Sequence, residues 1–344
     1  GFGRPFQAAV ERAMSNLDDA QDNGTELETV RVTGRQKARR GAGSYSEKRI
    51  RITIRLQADG DLFNFDGKGD ANNTLVFDGL RTSCQIGYGN GNVMPTARIR
   101  IYGLRLENMA KLLRVQWNTA QALQNVIQVE AGDARQMSIV FAGNITFAKP
   151  DFAAAPNVAL VIESSTGIYH QLAAVPPRSF AGEVDVAQAI GALAQDMGFL
   201  FENNGVSATV SDPYLPQTAM QQVRELAAAA DAALYIEQNT IAIAPRGQPR
   251  RIHTPVIRPQ SGLIGYPVPD LIGVRFSCLF QPALRFGGRV EIADSLIAQC
   301  NGKWRIFGMD LLLESQTPAG KWQADIRASR IGEDGGQENT HVAS

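Results

Sequence analysis

Polar and apolar residues alternate along Arg49-Ile-Arg-Ile-Thr-Ile-Arg-Leu56 and again along Ala97-Arg-Ile-Arg-Ile-Tyr102. That period of two is what a strand with one buried face requires. Shorter apolar runs at Leu75–Phe77, Val126–Glu130, Ser138–Phe141, Ile145–Phe147 and Val158–Glu163 predict further strands. Between them stand Asp78-Gly79, Ala131-Gly132-Asp133 and Gly143-Asn144, residues that favour turns. One helix is expected around Leu106–Leu113. Residues 46–177 therefore read as a first β-barrel-like domain, because many short strands with regular turns close most readily into a barrel or sandwich.

The period changes in residues 178–249. Val186, Ile190, Leu193 and Met197 fall at helical spacing, and Gly198 is placed to cap that helix. Gln217–Ala230 predicts a second helix. Phe199–Phe201 is a short strand, and Ala233–Glu237 with Thr240–Ala244 makes a hairpin about Gln238-Asn239. This is a small α+β domain. Residues 250–331 return to strands: Gly273–Phe280, Gly288–Ala293, Lys303–Phe307, Leu311–Glu314 and Trp322–Ala328 predict a second β-barrel-like domain. The fold class expected is α+β, mainly β. Residues 1–45 read as an N-terminal arm, with apolar positions Phe6, Val10, Ala13, Met14 and Leu17 at helical spacing and a later basic cluster at Arg35, Lys37, Arg39 and Arg40. Residues 332–344 are polar and read as a disordered tail. Arg81-Thr-Ser-Cys84 echoes Arg275-Phe-Ser-Cys278; this is either coincidence or the trace of two copies of one β fold flanking the α+β unit.

Lysine plus arginine equals aspartate plus glutamate at 34 each, so no net field draws the chain to nucleic acid or anionic lipid. Neutrality also removes one barrier to self-association. Cys84, Cys278 and Cys300 form no paired-cysteine motif and suggest neither a disulfide framework nor a zinc site. No apolar run reaches the roughly 18 residues a membrane span needs, and the N-terminus lacks a signal-peptide layout.

Catalytic patterns are absent. His170, His253 and His341 lie in no HExxH motif, and no GxSxG elbow occurs. Gly87-Tyr-Gly-Asn-Gly91 lacks the Lys-Ser/Thr of a phosphate loop and reads as a hairpin turn. Asp61, Asp66 and Asp70 lack the spacing of a calcium loop. Trp117, Trp304 and Trp322 form no stacking stripe for single-stranded nucleic acid. The reading is no catalytic residues, no cofactor and no metal, with partner-binding residues left unassigned: a structural protein and not an enzyme.

Several stretches carry a family likeness across about residues 70–330: Val76-Phe-Asp-Gly79 followed by Ala97–Leu104, Val129-Glu-Ala-Gly132 with Ile139–Ile145, Pro156–Leu160, Ser261–Pro267 leading to Phe280-Gln-Pro-Ala-Leu284, and Leu312–Trp322 with its Pro318-Ala-Gly-Lys-Trp322. In these the chain resembles the baseplate hub family of contractile-tailed phages and Mu-like prophages. The resemblance implies a homotrimer in which each chain supplies two tail-tube-like β-barrel domains, giving a pseudo-sixfold ring. It implies as partners the chain itself, the tail spike protein, a tail tube or tube-initiator protein and the tape-measure protein, with DNA met only in transit and no stable membrane insertion. The implied location is the virion tail baseplate, after assembly in the bacterial host cytoplasm. The alternative is a peptidoglycan- or glycan-binding or hydrolysing tail-tip protein centred on the α+β unit, which a glycan-binding assay would separate.

Overall fold

In a computed structural model of the chain, the described residues are 30–33, 47–55, 74–89, 93–105, 109, 125–153 and 155–332. The first β region supplies β1 (Val30–Thr33), β2 (Arg49–Arg55), β3 (Thr74–Asp78), β4 (Thr82–Tyr88), β5 (Thr96–Tyr102), β6 (Val126–Gly132), β7 (Met137–Asp151) and β8 (Ala159–Ser165). The middle contains α1 (Ile168–Leu172), β9 (Arg178–Ser179), β10 (Glu183–Asp185), α2 (Val186–Asp196), β11 (Leu200–Asn203), β12 (Thr209–Ser211), β13 (Tyr214–Leu215), α3 (Ala219–Ala229), β14 (Ala232–Glu237) and β15 (Thr240–Pro245). The last region supplies β16 (Val256–Ile257), β17 (Leu263–Asp270), β18 (Gly273–Leu279), β19 (Arg289–Ile292), β20 (Gly302–Ser315) and β21 (Trp322–Ser329).

Both β regions join one sheet. Its order is β1-β3-β2-β6-β7-β8-β5-β4-β20-β21-β18-β17, with β19 beside β20 and β16 beside β19. The joint is antiparallel: β4 runs from Tyr88 opposite Met309 to Thr82 opposite Ser315 on β20. The mainly-β α+β class is as expected, but no barrel closes among the described strands. Strand β1 falls inside the predicted arm and pairs in parallel with β3; the proposed helix at residues 6–17, most of the helix at 106–113, Asp61, Asp66, Asp70, Trp117 and the tail after 332 lie outside the described residues.

Alternation decides which face is buried. Ile50, Ile52 and Ile54 of β2, Cys84, Ile86 and Tyr88 of β4, Ile99 and Ile101 of β5, and Leu311 and Leu313 of β20 all enter one continuous core. Each fully buried Ile or Leu side chain contributes roughly 1.5–3 kcal/mol against exposure. Two predicted breaks are not breaks. The runs Ser138–Phe141 and Ile145–Phe147 are parts of the single strand β7, and Lys303–Phe307 and Leu311–Glu314 are parts of β20. Gly143 is not a turn residue: a Cβ there would lie 2.9 Å from the Ser165 backbone, so glycine permits close approach of β8. Along β7, the pairing partner changes from β6 to β8 at Asn144.

The α+β unit has a second core of its own, built from Val186, Ile190 and Leu193 of α2, Met220, Val223 and Leu226 of α3, and Leu234, Ile236, Ile241 and Ile243 of the β14–β15 hairpin. Asp185 caps α2 by accepting from the Gln188 amide at 2.9 Å, and Gly198 takes the left-handed conformation just past the helix. The hairpin is buried on both sides, because its other face, Ala233, Tyr235, Ala242 and Ala244, belongs to the main core. A continuous apolar run is the pattern that two-sided burial requires.

Candidate functional site: the polar sheet face and the buried charge network

Positions that alternate with the core form a continuous polar face across β8, β5, β4, β20, β21 and β18. In register across it stand Glu163, Arg98, Gln85, Leu312 and Gln323. The neighbouring row runs Arg100, Ser83 and Glu314. Asp310 lies opposite Asp325, and Arg327 opposite Arg275. Acids and arginines are interleaved: Arg98–Glu163, Arg100–Asp151 and Arg327–Asp310 each approach to 3.7 Å, and Ser277 Oγ donates to Asp325 at 2.6 Å. Further along the sheet, Arg51 lies 3.3 Å from Asp78 and 3.7 Å from Glu130. Burial raises the pKa of Glu130 and of Asp310, against the lowering pull of Arg51 and Arg327 respectively. Two shallow depressions mark this face. One of about 320 Å³ is bordered by Arg81, Arg98, Arg100 and Tyr102, with Ser83 and Gln85 on its floor. A neighbouring one of about 500 Å³ extends over Thr96, Ser165 and Asp310.

A second constellation lies where the α+β unit meets the sheet, and it is buried. Arg250 is 3% exposed and Glu237 2%. Arg250 donates from Nη1 to Glu237 at 2.7 Å and to the Phe286 carbonyl at 3.0 Å, and grips Glu202 with Nε and Nη2 at 3.2 and 2.7 Å. Glu237 also accepts from Arg285 Nε at 2.7 Å and from the Phe286 amide at 2.9 Å. Burial opposes the charge on Arg250, but the bonds to Glu202 and Glu237 outweigh it and raise its pKa. Burial likewise opposes ionisation of Glu202, and Arg250 overrides it, holding that carboxyl below the usual range. Beside this network Phe286 stacks on Tyr88 with centroids 5.8 Å apart and meets Tyr235 edge-on at 5.7 Å. Tyr88 donates to the Val140 carbonyl, and Tyr235 donates to the Gln248 carbonyl at 3.0 Å while accepting from Arg305 at 3.1 Å. The aromatic trio thus takes one ring from each of the three regions.

The sequence assigned no site residues, and the structure explains why. The polar face needs β4, which was read as part of a repeat and a hairpin turn, not as a strand. The charge network gathers residues from 13 to 49 positions apart, Glu237 with Arg250 at the near end and Glu202 with Arg250 and Glu237 with Arg285 each 48 apart. The available signal was one glutamate ending the otherwise uncharged run Ala232–Glu237. Among the described residues no group of three His, Cys, Asp or Glu gathers as a metal site. His170 packs edge-on against Phe199 on α1, and burial lowers its pKa to about 4, against a hydrogen bond to Met197. His253 is exposed. Cys84, Cys278 and Cys300 are buried free thiols, and burial pushes Cys278 up to about 12. Trp304 and Trp322 are buried core residues, Trp304 donating to the Cys300 carbonyl at 2.9 Å. Among the described residues no helix is long and apolar enough to cross a membrane.

Residues 50–324 match the family model described as baseplate hub gp41. Among solved structures the chain is similar to a 43 kDa tail protein of prophage MuSo2 from Shewanella oneidensis, with TM-score 0.54 and 11% identity over 83% of this chain and 97% of that one. A tail protein from Neisseria meningitidis MC58 gives TM-score 0.54 and 9% identity over 82% and 97%. The E. coli c3393 protein, a type VI secretion component described as structurally similar to the T4 tail proteins gp27 and gp5, gives TM-score 0.51 and 9% identity over 74% and 75%. At these identities the structural likeness concerns the fold. A search of curated proteins gives no match.

Proposed function

Since this chain belongs to the baseplate hub gp41 family, we propose that it forms a homotrimeric, pseudo-sixfold ring at the centre of a phage-type tail baseplate, joining the tail tube to the spike. In this reading the β regions at 46–177 and 250–331 are two tube-like modules of one chain, spaced by the α+β unit at 178–249. Joining a sixfold to a threefold assembly requires a part that carries both symmetries, and two modules per chain repeated three times supply it. The observation that carries the reading is the β4·β20 joint, by which the two modules continue one sheet instead of hanging from a linker. A rigid joint fixes the angle between modules, which a ring must have in order to close.

The polar face turns toward the channel in this arrangement. Its interleaved acids and arginines give a passing polyanion little net attraction, so DNA and tape-measure protein move through without being held. The ring takes part in cell puncture by carrying the spike. The α+β unit acts as a spacer; the two-sided burial of its β14–β15 hairpin and its charge network to the sheet favour that role over a free glycan-binding module.

The test is solution mass by light scattering coupled to size exclusion, over a concentration series and with the spike and tube partners added. A mass of three times the 37.2 kDa chain when alone, or a complex that holds three copies of the chain when partners are bound, is the expected result. A chain that stays monomeric at every concentration and with both partners present would overturn the ring.

A further inference from the structure

Three guanidinium groups converge on the 320 Å³ depression, and their hydrogen-bonding capacity is largely unspent. Arg98 and Arg100 project from the same face of β5 two residues apart, a repeat of about 6.5–7 Å along a strand. Each faces a carboxylate at 3.7 Å, beyond hydrogen-bonding distance, and both side chains are more than a third exposed. Pairs of that kind contribute little and reorganise easily. Arg81 stacks over the Tyr102 ring at 4.5 Å, which fixes its plane and leaves the donor edge open. Ser83 and Gln85 lie opposite Arg100 and Arg98 on β4 and supply a polar floor. On the far side the one acid, Glu314, is already engaged by the Lys321 amide at 2.8 Å.

We propose that this depression binds an extended acidic segment of a partner protein, with carboxylates at alternate positions seated on Arg98 and Arg100. An extended chain places every second side chain on one side at the same 6.5–7 Å repeat, so two carboxylates meet two guanidinium groups in register. Gln85 and Ser83 lie beside them on β4, where they can bond to the segment's backbone. A short peptide covers only the cationic depression. Duplex DNA is wider and also covers Glu163 and Asp310 of the neighbouring depression, so the same arginines hold it less well. This inference names a binding surface and does not depend on the ring: a monomer in solution leaves it standing, and its failure leaves the ring standing.

The full-length chain is titrated against a fluorescein-labelled peptide alternating threonine and glutamate, against its composition isomer with the glutamates adjacent, and against oligothymidylate and a DNA duplex, all in low salt. The alternating peptide is expected to bind saturably with a Kd of about 0.1 mM, several-fold tighter than its isomer and than either DNA. Arg98→Gln with Arg100→Gln weakens it about tenfold or more, while Arg275→Gln, on the same sheet face but away from the depression, changes it less than about twofold. Because a weakened variant could be misfolded, a second pair, Arg98→Glu with Arg100→Glu, is expected to lose this peptide and gain one alternating threonine and lysine. Absence of saturable binding, equal binding of the two isomers, DNA binding as tight as the peptide, or indifference to the Arg98/Arg100 substitutions would each overturn the proposal.

Discussion

Truncating Glu237 to alanine removes, in one step, the acceptor for Arg250, Arg285 and the Phe286 amide. Breaking a buried ion pair from one side costs about 3–5 kcal/mol, because the charge left behind stays buried. The expected result is a fall in melting temperature on the order of 10 °C, with a much smaller fall for Glu202→Ala, since Glu202 is 30% exposed and Arg250 then keeps Glu237. Thermal melts of the two variants test this, and equal effects would contradict the central place given to Glu237. His170 makes a pH-dependent contribution of known sign. Its folded pKa of about 4 lies below the ordinary value of 6.5, so the folded state prefers the neutral ring. The stability this represents is present above about pH 6.5 and is lost as pH falls toward 4. His170→Phe should flatten the melting temperature between those limits, and an unchanged slope would assign the acid sensitivity elsewhere. Neither residue was legible in the sequence as anything but an isolated polar group, since their partners come from other segments.

At the scale of elements, strands with strict alternation were legible, and β2, β5 and the two helices α2 and α3 lie where the periodicity placed them, within two residues. What misled at β7 was glycine. Gly143 sits inside the long strand β7, as Gly308 sits inside β20, and each admits a neighbour: Ser165 backbone in one case, the Arg327 guanidinium at 2.6 Å from an added Cβ in the other. The sequence signal for close approach is the same glycine that signals a turn, and only the pairing partner separates them. The two sites should therefore differ on substitution. Gly143→Ala drives a Cβ against fixed backbone and is expected to destabilise by about 1–3 kcal/mol. Gly308→Ala meets the end of an exposed arginine that can swing away, and should cost about 1 kcal/mol or less. Urea unfolding of both variants decides it, and a Gly308→Ala cost equal to that of Gly143→Ala would show that Arg327 is held in place.

For the whole molecule, the segment order β, α+β, β was readable from the change of period. The merging of the two β segments into one sheet was not, because it depends on β4, whose Thr82-Ser-Cys-Gln-Ile-Gly-Tyr88 puts a polar threonine and a small cysteine on its buried face and a glycine on its outer face, so the contrast between its two faces is weak. That merger has a consequence for any attempt to divide the chain. A fragment ending at residue 249 lacks β20, so β4 presents a free edge of N–H and C=O groups while Cys84, Ile86 and Tyr88 lose Leu311, Leu313 and Phe286 from the core. The same cut removes Arg250, Arg285 and the Phe286 amide from Glu237, and strips the cover from Ala233, Tyr235, Ala242 and Ala244. Exposed strand edges backed by apolar side chains pair with other copies. Fragment 1–249 should therefore aggregate or melt without cooperativity, while co-expression with 250–344 should restore a soluble, cooperatively melting complex through the β4·β20 joint. A fragment 1–249 that stayed monomeric with a sharp transition of its own would mean the joint is a contact between finished domains, and the rigid coupling on which ring closure rests would have to come from elsewhere.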